Sequence, residues 1–202
     1  MGVKERRERE EGARLDAILA AAERVFAEQG YFHARMDAIA EAAELSKGTL
    51  YYYFKSKDVI YVHLLERETK KIHEEIQRRI AGRETFLELL EIWIDFYLEY
   101  FENNLGFLRM FLPCMGGMIR FEDESARHRL LHNTAQWKPL REMLKTVLAR
   151  ERLPFGADEI IKFLKTLQLG MGFKLLEGDK ADARAAGRFF FDMMKRIVEE
   201  KS

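Results

Sequence analysis

Between Met36 and Lys57 one apolar row stops and another starts, and that break limits the folds open to the chain. Met36, Ile39, Ala40 and Ala43 recur at helical spacing, with Asp37 and Glu41 on the other face. The row ends at Glu44 and Leu45. Ser46 then stands where a helix N-cap belongs, and Leu50 and Phe54 resume an apolar row four residues apart. Two short helices joined by a tight turn make a helix-turn-helix, whose second helix can lie in the major groove of DNA. Upstream, Leu15, Ile18, Leu19, Ala22 and Phe26 predict a helix from Ala13 to Gln29 closed by Gly30. Tyr31 and Met36 can then complete a small three-helix core.

The second short helix has an unusual surface for a purely structural element. Gly48 leaves its first turn nearly bare, Thr49 offers a hydroxyl, and Tyr51, Tyr52 and Tyr53 cannot all be buried. Phenolic hydroxyls are good donors to phosphate oxygens. From Ser46 to Lys57 the charged residues are Lys47, Lys55 and Lys57, a local charge of +3 in a chain whose formal net charge is zero. Such a patch is the footprint of a polyanion site. The same residues also suit plain core and a solvated face.

The run from Gly30 to Tyr61, GYFHARMDAIAEAAELSKGTLYYYFKSKDVIY, resembles the DNA-binding signature of the TetR family of bacterial one-component repressors. The resemblance rests on Gly30, Tyr31, Met36, Ile39, Ala40, Ala43, Leu45, Ser46, Gly48, Thr49, Leu50, Tyr51, Phe54, Lys55, Ser56 and Lys57 at their mutual spacing. It implies an all-α fold, with an N-terminal three-helix helix-turn-helix domain over 1–57 and a C-terminal helical ligand-binding and dimerisation domain over 58–202. It also implies that Lys47, Gly48, Thr49 and Tyr53 face base edges or the groove. Tyr51, Tyr52, Lys55, Lys57 and Arg35 would hold phosphates. Two positions depart from the family's pattern. Ala34 and Arg35 replace the usual hydroxyl residues that cap the first helix of the motif, so the cap is in question while Arg35 offers a charged contact. Glu44 occupies a turn position that is commonly Gly, where positive φ would cost about 1 kcal/mol.

Beyond the motif the chain reads as helix after helix, in keeping with 48% hydrophobic and 34% charged residues and only three prolines. Met1 to Gly12 mixes both signs with almost nothing to bury, and predicts a frayed extension or an irregular first turn. A helix from the Ser56 N-cap to about Ile80 begins with Lys57 and free N–H groups, suited to phosphate. Phe86 to Phe101 is apolar nearly all round, and so predicts the buried central helix of the second domain. Phe107, Met110, Phe111, Met115 and Met118 follow, interrupted by Pro113 and by Gly116 and Gly117. A long helix is expected from Ala126 to Glu151. The last two helices, about Ala157 to Leu176 and Lys180 to Lys201, predict an antiparallel hairpin around Glu177, Gly178 and Asp179.

These side chains suggest an effector site for a small, mainly apolar or amphipathic molecule among Trp93, Tyr97, Phe107, Met110, Phe111, Met115, Trp137 and Met171. Singly, each is also an ordinary core residue. The resemblance implies a homodimer joined through the last two helices, with Leu164, Leu167, Phe190, Met194 and Ile197 as its interface. A twofold dimer would set two recognition helices roughly 34 Å apart on a palindromic operator. The alternative is a helical carrier or sensor of lipid-like molecules without a DNA role. An enzyme is not expected, since no Gly-rich phosphate loop, metal cluster or catalytic constellation is present. No cofactor or metal is expected; His128 and His132 read as surface or pocket-rim residues. Cys114 is the single cysteine, which excludes an internal disulfide. The charged amino terminus has no signal-peptide pattern, and no apolar run could span a bilayer, so a cytoplasmic protein is expected.

Overall fold

The structure is a computed structural model that describes residues 2–132 and 138–200. Its helices are α1 (Val3–His33), α2 (Met36–Ala42), α3 (Lys47–Tyr53), α4 (Lys57–Ile80), α5 (Phe86–Asn103), α6 (Leu105–Met115), α7 (Glu124–His132), α8 (Lys138–Arg150), α9 (Ala157–Glu177) and α10 (Lys180–Glu199). The chain divides into two compact units, Met1–Glu68 with Arg109–His132, and Thr69–Leu108 with Asn133–Ser202. Residues 58–68 and 109–132 therefore pack with the helix-turn-helix.

In the first unit, Ile18, Ala22 and Phe26 of α1 join Ile39, Leu50, Phe54, Ile60 and Leu64 in one buried core. Gly30 interrupts α1 at φ 70° and ψ 166°, a conformation that only glycine takes without strain, and so turns the chain toward α2. Ser46 caps α3 by accepting from the Thr49 N–H at 3.1 Å. Asp58 is buried and binds three donors: the Tyr31 hydroxyl at 2.5 Å and the Glu122 and Asp123 N–H groups at 2.8 and 3.0 Å. Tyr61 donates to the Met110 carbonyl at 2.5 Å. These bonds tie α6 and the segment after it to the start of α4. Burial beside Asp58 pushes the Tyr31 phenol well above its ordinary range, so it stays a donor.

The amino terminus differs from expectation. It is helical from Val3, because pairs one turn apart, Lys4 with Glu8 and Arg6 with Glu10, support an exposed helix that buries nothing. The interleaved charges that suggest disorder in the sequence fall at helical spacing.

In the second unit, α5 is the central helix, packed by α8, α9 and α10. It is opened by a capping box in which Glu88 N–H donates to the Thr85 hydroxyl and the Glu88 carboxylate accepts from Thr85 N–H. Gly187 lets α10 approach α5: a Cβ there would stand 2.7 Å from Ile94 Cγ2. The α9–α10 turn is made by Gly178 at φ 85°, and Asp179 caps α10 through the Asp182 N–H. The single helix expected from Ala126 to Glu151 is described as α7 and α8 on either side of residues 133–137.

Candidate functional site

The capped helix α3 presents its polar residues outward. Lys47, Gly48, Tyr51, Tyr52 and Lys55 are exposed, Tyr52 at 70%. A Cβ on Gly48 would meet only the Ser46 hydroxyl, at 3.9 Å, so nothing inside the chain requires glycine there. The bare backbone at this position is open to solvent. Thr49 and Tyr53 are half-buried; Thr49 shares a 2.8 Å hydroxyl contact with Ser46, and the Tyr53 ring meets Tyr52 edge-on. Tyr53, expected in the groove, thus flanks the helix, while Tyr52, expected on a phosphate, stands furthest out. Lys47 pairs with Asp37 at 2.5 Å, an exposed contact that can be exchanged for a phosphate. Lys55 reaches the Tyr51 carbonyl only weakly, at 3.4 Å.

Lys57 requires a correction. Its ammonium donates to the carbonyls of Tyr31 and Ala34 at 2.9 and 3.2 Å, lies 3.4 Å from that of Phe32, and sits 4.6 Å from the Tyr31 ring centroid. Those carbonyls lie at the elbow where α1 ends, and they need donors that the helix no longer supplies. Lys57 therefore clasps the elbow rather than reaching outward. Arg35 stands at the N-cap of α2, exposed and without a side-chain cap bond. The doubt about that cap is borne out. Glu44 takes φ 55°, the left-handed conformation expected of the turn.

The expected effector residues that the structure describes are divided between the two units. Trp93, Tyr97, Phe107 and Met171 are buried in the second unit, with Trp93 stacked on Tyr97 at 5.7 Å and Phe107 on Phe101 at 6.0 Å. Met110, Phe111 and Met115 belong to the first unit. Trp137 lies outside the described residues. A groove of about 380 Å³ runs between α5 and α10, lined by Glu91, Ile94, Asp95, Leu98, Arg184, Arg188 and Phe191 among others. None of the seven described ones lines it. Partial burial pushes the Cys114 thiol up to about 12, which favours its protonated form. Among the described residues no His, Cys, Asp or Glu group could hold a metal ion, and no helix is long and apolar enough to cross a membrane.

The expected dimer residues also need sorting. Leu164, Phe190 and Met194 are buried inside their own unit, so their side chains are spent on the hairpin's own core. Leu167 and Ile197 are half-buried. The large apolar side chains left outside on α9 and α10 are Phe163, Phe173, Phe189 and Met193, Phe189 at 72% exposure. The runs Phe189-Phe190-Phe191 and Met193-Met194 offer the same residue type in adjacent registers. Periodicity therefore could not choose the outward row. Asp58 was missed as a structural link; an acidic residue in a first turn is too common a signal to single it out.

The family described as bacterial regulatory proteins, tetR family, is matched by residues 18–64. An uncharacterized HTH-type transcriptional regulator of Mycobacterium tuberculosis is 34% identical over 112 residues, covering 54% of this chain and 55% of that protein. The chain thus spans about half the length of the first curated relatives it matches. The fatty acid metabolism regulator protein of Bacillus subtilis is 32% identical over 159 residues, 71% of this chain and 79% of that protein. In fold, the chain is similar to the crystal structure of the regulator FadR from Bacillus subtilis in complex with stearoyl-CoA. The TM-score is 0.69 at 18% identity, over 90% of this chain and 96% of that one.

Proposed function

Because this chain belongs to the TetR family of regulatory proteins, we propose that it is a cytoplasmic, homodimeric repressor whose grip on a palindromic operator is released by a small apolar or amphipathic effector. The observation that carries the reading is the outward face of α3. A capped helix carries a bare glycine, two exposed tyrosines and an exposed lysine, Lys47, whose pairing with Asp37 is open to solvent. Lys47, Gly48, Thr49 and Tyr52 meet base edges, while Arg35, Tyr51 and Lys55 hold phosphates. Residues 1–57 serve as the DNA-binding domain and 58–202 as the ligand-binding and dimerisation domain.

Phe163, Leu167, Phe189, Met193 and Ile197 form the surface that a second copy covers. The effector lodges among Trp93, Tyr97, Phe107 and Met171. A relative named for fatty acid metabolism, and the stearoyl-CoA in a structure of the same fold, support an acyl chain as its apolar part. Release requires that the effector bind the two states with different affinity.

The test is a titration of the purified protein on fragments of its own upstream DNA across a salt series, with and without acyl-CoA and a panel of apolar compounds. Saturable, sequence-selective binding that one compound releases is the expected outcome. Weak binding to every fragment that fades with salt overturns it and favours a carrier of lipid-like molecules.

A further inference from the structure

The inward face of α9 is built from Ile160, Ile161, Leu164, Met171 and Leu175, and one amide interrupts it. Gln168 is 8% exposed, and its side-chain Oε1 makes no hydrogen bond to any described residue. An acceptor left open in a protein interior is costly, and its persistence calls for a partner. Its surroundings are aromatic at one end: Tyr97 donates to the Gln168 main-chain carbonyl at 2.7 Å, and Trp93 stacks on Tyr97. They are basic at the other. Lys165, one turn earlier on α9, is partly buried within electrostatic reach of Arg141, itself paired with Asp158 at 2.6 Å. His73 of α4 lies within electrostatic reach of Lys165, with Nδ1 2.5 Å from the Thr69 carbonyl. Burial, and the like charge of Arg141 beside Lys165, lower the Lys165 pKa; burial also lowers that of His73, partly offset by its bond to the Thr69 carbonyl.

We propose that Gln168, Lys165 and His73 form the polar end of the effector site, which takes an acyl-chain amphiphile whose head carries an O–H or N–H donor beside an anionic group. The donor goes to Gln168 Oε1, the anion toward Lys165 and His73, and the chain toward Tyr97, Trp93 and Met171. The inference rests on the effector-responsive reading above and deepens it. Admitting a chain requires neighbours to part, and Met171, unbranched and one turn beyond Gln168, is suited to that.

Calorimetric titration of the full chain with 3-hydroxydecanoate, decanoate and decyltrimethylammonium tests it. The hydroxy acid should bind about tenfold tighter than decanoate, the value of one buried hydrogen bond made rather than left open. The cation should bind weakest. In Gln168→Leu the two acids should come within about twofold of each other, and Gln168→Met is the second variant should leucine disturb packing. Lys165→Gln should weaken both acids by a similar factor and keep the preference for the hydroxyl. Equal affinities in the unaltered chain, a preference that survives both Gln168 variants, or tightest binding of the cation would each overturn the proposal. If none of the three binds but another apolar compound releases operator DNA, this inference falls and the effector reading stands. If no apolar compound binds or releases DNA, the effector reading falls as well.

Discussion

Two surfaces of this chain expose large aromatic side chains, and they differ in what surrounds the rings. On α3, Tyr51 and Tyr52 carry hydroxyls and lie within a turn of Gly48 and Lys55. On the terminal hairpin, Phe163 and Phe189 offer bare rings beside Met193. A phenol can stay wet, donate to a phosphate and still pack its ring, so the first surface suits a hydrated, charged partner. A phenyl ring gains only by leaving water, so the second suits a dehydrated contact. Exposure alone is ambiguous; the chemistry at the rim of each patch separates a nucleic-acid face from a protein face.

The largest effect should come from the hairpin. Phe189→Glu puts two buried charges into a twofold interface, since each copy supplies one. It should weaken dimerisation by about a hundredfold or more, measured by sedimentation at several concentrations, and operator affinity should fall with it. The monomer should stay folded, because the replaced ring is 72% exposed. Phe190→Ala, one residue on, removes a buried ring and should instead cost about 3–5 kcal/mol of stability within each chain. An unchanged dimer in Phe189→Glu would leave the hairpin patch without its partner and erase the contrast.

A smaller effect should divide the lysines of the first surface. Lys55→Ala should lower operator affinity by about tenfold at moderate salt and reduce the slope of log affinity against log salt by about 1. Lys57→Ala should leave the slope unchanged and lower thermal stability by about 1–2 kcal/mol, because the elbow carbonyls lose a charged donor. A slope change in Lys57→Ala would return that residue to the phosphate contacts.

These pairs also mark how far the amino-acid sequence was legible. The helices of the motif, the cap at Ser46, the left-handed Glu44 and the turn through Gly178 and Asp179 follow from local rules, so they could be read directly. Which of Phe189 and Phe190 faces outward could not, because α10 repeats its apolar residues in adjacent registers and only packing against α5 and α9 selects one. Lys55 and Lys57 are likewise equivalent as letters. They part only once the α1 elbow brings three carbonyls from more than twenty residues upstream to one ammonium. Gln168 was invisible for a similar reason: a polar residue in an amphipathic helix reads as surface until the fold buries it.

The smallest effect concerns the turn that joins α2 to α3. Glu44 is exposed, holds φ at 55°, and donates its N–H to the Glu41 carbonyl at 3.0 Å. Glycine relieves the left-handed strain of a Cβ, worth about 1 kcal/mol, but gives back part of that through its freer unfolded chain. Glu44→Gly should therefore raise the melting temperature by roughly 1–3 °C, as calorimetry would record. Glu44→Gln keeps the strain and removes the charge, so it should leave the melting temperature within about 1 °C. The pair also asks which surface the turn belongs to. If both variants tighten operator binding at low salt by the same factor, the carboxylate repels phosphates and the turn is part of the nucleic-acid face. If neither does, the turn only sets the angle between α2 and α3, and the polar surface that contrasts with the hairpin begins at Ser46.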